Sequence, residues 1–133
     1  MSWTQESMKK IADAQANWVV EVEGNCLSIS NDEGIDAFLY VGEQQLIVEA
    51  PLFAQSSVKN VQALNDLILR THQLQPLTTI GIKNIANQDY YIAFGALSAA
   101  SHDDVIIEEV NTLFANIGDF LELYAEHLTM ETV

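Results

Sequence analysis

The chain has 133 residues, with 19 acids against 5 bases, a net charge of −14 and an apolar fraction of 49%. That length and apolar content suit one folded domain with a real core and argue against disorder. The charge disfavours nucleic-acid phosphates and anionic lipid, and no Lys or Arg follows Lys83. Solvation alone would explain so many acids. A surface that steers basic partners is the sharper reading. A DNA mimic would need acids spaced like phosphates, which a linear sequence does not display.

Cys26 is the single cysteine, so no internal disulfide is expected. The polar start predicts no signal peptide. The longest apolar run, residues 90–97, falls far short of the roughly 18 residues of a membrane span, so no direct membrane insertion is expected. The expected setting is the cytoplasm.

In chain order, Thr4 can cap a first helix to about residue 16, where Met8, Ile11 and Ala12 form one stripe. Residues 18–23 alternate as a half-buried strand, with Trp18, Val20 and Val22 facing in and Glu21 and Glu23 facing out. Gly24-Asn25 reads as a two-residue hairpin turn, and residues 26–30 return with Leu27 and Ile29 inward. Residues 31–36 form a polar loop, 37–41 a third strand and 45–52 a fourth. Pro51 lacks an amide donor, so that strand should end there or lie at an edge.

Asn60 can cap a second helix to about residue 74, with Val61, Leu64, Leu67, Ile68, Thr71 and Leu74 on one arc. Leu69 lies on the far side of that arc. Pro76 should close the segment. Residues 78–85 and 90–98 are the fifth and sixth strands. The sixth is apolar on both faces: Tyr90, Ile92, Phe94 and Ala96 point one way, and Tyr91, Ala93, Gly95 and Leu97 the other. One face should carry a helix, and the other a helix or a second subunit.

Ser101 with Asp104 resembles a capping box opening a last helix, whose apolar residues keep period from Ile106 to Leu128. Unbroken to residue 129 it would run about 40 Å, longer than a domain of this size is wide. Gly118 costs about 1 kcal/mol inside a helix, so a kink or break is expected there. The resulting fold class is α+β. A twisted, mainly antiparallel sheet of five or six strands has flanking helices, in the order α-ββββ-α-ββ-α, as a single acidic domain over residues 1–133.

The sequence offers no catalytic motif. It has no Gly-rich phosphate loop, nucleophile elbow or His-Glu-x-x-His. Cys26 follows a turn with no His or Lys nearby in sequence to lower its pKa, so it reads as a small strand residue. His72 and His127 lie near helix ends, where the helix dipole suits them, and His102 stands at a helix start. None has metal-ligand spacing to another. No cofactor or metal is expected, and the protein is read as not an enzyme. Tyr90 and Tyr91 could stack on bases, but they lack basic neighbours, so core packing explains them better. Glu108, Asp119, Glu122 and Glu126 cluster on one arc of the last helix, opposite the apolar one. That arc is a solvated face, or an acidic docking stripe for a basic helix or tail.

Four stretches carry a resemblance: Leu64-Asn-Asp-Leu-Ile-Leu-Arg-Thr-His72, Pro76-Leu-Thr-Thr-Ile-Gly-Ile82, Tyr91-Ile-Ala-Phe-Gly-Ala-Leu-Ser98 and Ile107-Glu-Glu-Val110. They resemble the YjfI-like family of uncharacterised bacterial proteins. The element order is also similar to the type III secretion chaperone-like fold, whose members are small, acidic and usually dimeric. The resemblance implies a bacterial cytoplasmic protein, set near relatives of the phage-shock, membrane-associated coiled-coil protein. It supplies no catalytic residues.

Two functions follow as expectations. The first is a protein-binding adaptor or chaperone-like module, a homodimer with a helical or basic protein partner, meeting it through Leu69, Tyr91, Leu97, Glu108, Glu122 and Glu126. The alternative is a small-molecule sensor or minor enzyme with an apolar pocket.

Overall fold

The structure is a computed structural model that describes residues 3–74 and 78–129. The elements are α1 (Gln5–Asp13), β1 (Val19–Glu23), β2 (Cys26–Ser30), β3 (Asp36–Val41), β4 (Gln45–Ala54), α2 (Val61–Thr71), β5 (Thr79–Ile85), β6 (Gln88–Ser98) and α3 (Asp103–Tyr124). Pro76 lies outside the described residues.

Local chemistry sets the element starts. The Thr4 hydroxyl accepts from the Ser7 amide at 3.0 Å, and the Thr4 amide donates back to the Ser7 hydroxyl at 2.9 Å. Two orphan donors of the first turn are thus satisfied together. Asn60 caps α2 by accepting from the Ala63 amide at 3.1 Å. At α3 the cap moves one residue from the expected Ser101 to His102, which makes no side-chain cap bond. Asp103 and Asp104 accept from the amides that follow them, both at 2.9 Å, so these carboxylates serve the helix start instead.

The six strands form one antiparallel sheet in the order β1-β2-β3-β4-β6-β5. Leu27, Leu39, Val48 and Gly95 stand in one cross-strand row. Residues of that face join buried side chains of α1, α2 and α3 in one core cluster, from Met8 through Leu64 and Ile68 to Leu113, Phe120 and Tyr124. Each large apolar side chain fully buried there contributes roughly 1.5–3 kcal/mol. Ala93 and Gly95 leave room for α3, which packs on β6 and β4.

Two expectations about the chain's path are corrected. β4 does not end at Pro51 or lie at the sheet edge; it runs to Ala54 between β3 and β6. Its pairing with β3 extends only to Glu49, and its register against β6 shifts between Pro51 and Phe53. Pro51 therefore sits where β4 has no β3 partner, and one missing donor is tolerated.

Nor does α3 break at Gly118. It is continuous over 22 residues, about 33 Å. Buried Ile117, Phe120 and Tyr124 hold the turns on both sides of the exposed glycine. The helix stops at Tyr124 for a tertiary reason. A 3-10 turn, Ala125–His127, brings the chain back to the segment before α2. There Leu128 bridges Val58, the Lys59 amide donates to the His127 carbonyl, and the Thr129 amide donates to the Ser57 carbonyl, both bonds at 2.8 Å.

Candidate docking surfaces

The helix-packed face of β6 is the one that carries Tyr91, Ala93, Gly95 and Leu97. Tyr91 is 1% exposed, and its hydroxyl donates to Asn65 of α2 at 2.5 Å. It lies under α2, where it lines the groove between α2 and β5. Leu97 is partly buried against the same core. Among the described residues the opposite face carries no helix; it presents Cys26, Phe38, Tyr40, Ile47, Glu49, Ile92, Phe94 and Ala96. Cys26 and Ile92 are buried, yet they lie outside the helix-side core cluster.

The helix-free face is concave. A hollow of about 840 Å³ lies between the β1–β2 turn at Gly24-Asn25 and the β5–β6 turn at Ala86. On its floor the Lys83 ammonium donates to Glu49 and stands 5.5 Å from the Tyr40 ring centroid. The Glu49 side chain is only 12% exposed, whereas that of Lys83 is 45% exposed. The hydrogen bond to Glu49 is the main cause holding the Lys83 ammonium pKa above its usual value.

Cys26 joins this group, a convergence the sequence reading missed. Its thiol donates to the Glu23 carbonyl at 3.3 Å, and the Tyr40 hydroxyl hydrogen-bonds to it. Burial pushes the thiol pKa up, outweighing the lowering by Tyr40 and Lys83. Tyr40 is likewise pushed up, first by burial. The thiol is thus kept in its protonated form, the poor nucleophile. Among the described residues, no three His, Cys, Asp or Glu side chains gather as a metal site. The only sequence signal for the Glu49–Lys83 pair was charge on otherwise apolar strands.

A second surface lies on the opposite side of β5. Among the described residues this strand pairs only with β6, and of its outer backbone edge the Ile80 amide is taken by His72. A groove of about 300 Å³ separates that edge from α2, lined by Ile68, Leu69, Ile80 and Ile82. Leu69 is 81% exposed and Ile82 49%. Asp66 and Arg70 pair beside it at 2.8 Å.

The remaining site residues sit apart. Glu108 and Glu122 are exposed on α3, while Glu126 lies in the turn after it. Their neighbour Glu109 is buried instead, and its Oε2 has no hydrogen-bond partner among the described residues. Burial, then the charge of Glu108, pushes the Glu109 carboxyl pKa up. Of the histidines, His72 accepts from the Ile80 amide through Nε2 at 2.9 Å, which ties the end of α2 to β5. Among the described residues, no helix is long and apolar enough to cross a membrane.

Comparison with known proteins agrees with this architecture. The uncharacterised protein YjfI of Escherichia coli K12 is 34% identical over 84 residues, which is 63% of this chain and 63% of YjfI. The crystal structure of YbjN, a putative transcription regulator from E. coli, superposes with a TM-score of 0.72 at 13% identity, over 95% of this chain and 94% of that one. A chain of the HopA1–SchA chaperone–effector complex superposes with a TM-score of 0.62 at 12% identity, over 89% and 90%. At such identities the likeness shows the fold, an α+β secretion chaperone-like architecture. A family model described as an uncharacterised protein conserved in bacteria (DUF2170) matches residues 3–128, and the chain belongs to that family.

Proposed function

We propose that this protein is a non-catalytic, chaperone-like adaptor of the bacterial cytoplasm, a single domain that pairs with a second copy and binds another protein. One observation carries the reading: the outer edge of β5, which no described strand pairs, runs beside exposed Leu69 and Ile82. Unpaired strand edges template further strands, and exposed apolar side chains beside them reward the contact. A second copy is the occupant that charge favours. The chain carries −14 overall, but beside this groove Asp66 is matched by Arg70. Two copies repel one another least there. A two-fold pairing of β5 with β5 would extend the sheet and place Leu69 of each copy near the seam.

The partner protein is proposed to be basic. Glu108, Glu122 and Glu126 contribute to an acidic field that draws it in. The presence of the same fold in a chaperone–effector complex supports protein binding. A link to phage-shock-type envelope stress rests on the family resemblance alone.

Light scattering tests the pairing: wild type should have a dimer mass, and Leu69→Asp a monomer mass with an unchanged circular dichroism spectrum. A wild-type monomer at all concentrations, together with no crosslinked partner in native cells, removes the proposal.

A further inference from the structure

The Glu49–Tyr40–Lys83 group has the make-up of a cation receptor. A largely buried carboxylate lies beside an aromatic face, and a cation already serves both. That cation is the chain's own, on the edge strand, with nearly half of its side chain in solvent. Lysine binds a carboxylate as a point charge on a flexible stem. A guanidinium makes two parallel bonds to it and stacks on an aromatic ring as well. Phe38, Pro51 and Ile92 line the same hollow and offer apolar contact to residues flanking such a group.

We propose that the concave, helix-free face of the sheet is the docking site for an arginine-bearing segment of the partner protein, with Glu49 and Tyr40 as its receptor and Lys83 as a placeholder that the arginine displaces. The net charge of −14 supplies long-range attraction for such a segment. Lys83 is tethered, so its local concentration opposes the incoming arginine and keeps binding reversible. The inference rests on the proposed protein-binding role, but it concerns a different face from the β5–α2 pairing surface.

The probe is N-acetyl-leucyl-arginyl-leucine amide, titrated into the isotope-labelled full chain and followed by NMR. Its control is the same peptide with citrulline, which keeps the shape and loses the charge. The arginine peptide should move the amide signals of Tyr40, Glu49 and Ile92, and the citrulline peptide should bind at least tenfold more weakly. Lys83→Met should bind the arginine peptide at least tenfold more tightly, because the carboxylate has lost its own cation. Glu49→Gln should lose the preference for arginine over citrulline. Should Lys83→Met fail to fold, the wild-type comparison of the two peptides still decides. Equal binding of both peptides, or shifts confined to the acidic face of α3, overturns the proposal. A wild-type dimer mass in the same samples would leave the pairing surface standing.

Discussion

The Tyr91 hydroxyl donates to Asn65 Oδ1 at 2.5 Å, joining residues 26 positions apart. This bond ties α2 to the helix-packed face of β6. Tyr91→Phe removes the donor and leaves a partly buried acceptor unmatched. It should cost roughly 1 kcal/mol. Urea unfolding should show a lower midpoint with the same slope. An unchanged midpoint would mean that water replaces the bond fully.

Glu109 sits buried in α3, and its Oε2 has no hydrogen-bond partner among the described residues. Its folded pKa is raised above the ordinary carboxylate value, first by burial and then by Glu108. The folded state therefore holds this proton more tightly than the unfolded chain does. Its contribution is most favourable below the unfolded pKa and is lost as pH rises through the folded one. Glu109→Gln keeps the shape and removes the charge. It should melt higher than wild type at pH 8, with the gap closing as pH falls towards 4.5. A gap that stays constant across that range would show that the carboxyl is not the cause.

The β5–β6 turn places two non-glycine residues in the left-handed region, Ala86 at φ 53° and Asn87 at φ 67°. Two positive φ values suit the twist of a tight hairpin, but alanine tolerates the first poorly while asparagine is favoured there. Ala86→Asn should stabilise the protein by about 0.5–1 kcal/mol, read as a rise in thermal midpoint. A fall would mean that Ala86 makes a contact worth more than the backbone preference.

Gly118 lies on the exposed side of α3, and a methyl group added there would meet nothing within 4 Å. Gly118→Ala should stabilise the protein by about 1 kcal/mol, the ordinary difference within a helix. Loss of stability would indicate a break in the helix at that point.

Much of the fold was legible in the chain because it is locally determined. The caps at Thr4 and Asn60, the turn at Gly24-Asn25, the arc of Leu64 and Ile68, and the two apolar faces of β6 are set by neighbouring residues. Leu69 announced its exposure by lying off the apolar arc of α2. The expected break at Gly118 erred because local propensity registers one glycine but not the burial of Ile117, Phe120 and Tyr124 that holds the helix on both sides of it.

Element order, helical arcs and the acidic surface follow from the sequence alone, since propensity, period and charge act over a few residues. The tertiary structure decided which face of β6 is covered, that Glu109 is buried, and that Lys83 reaches Glu49 across 34 positions. Those outcomes depend on where the helices land on a twisted sheet. The whole chain sets that jointly, through packing between residues far apart in sequence.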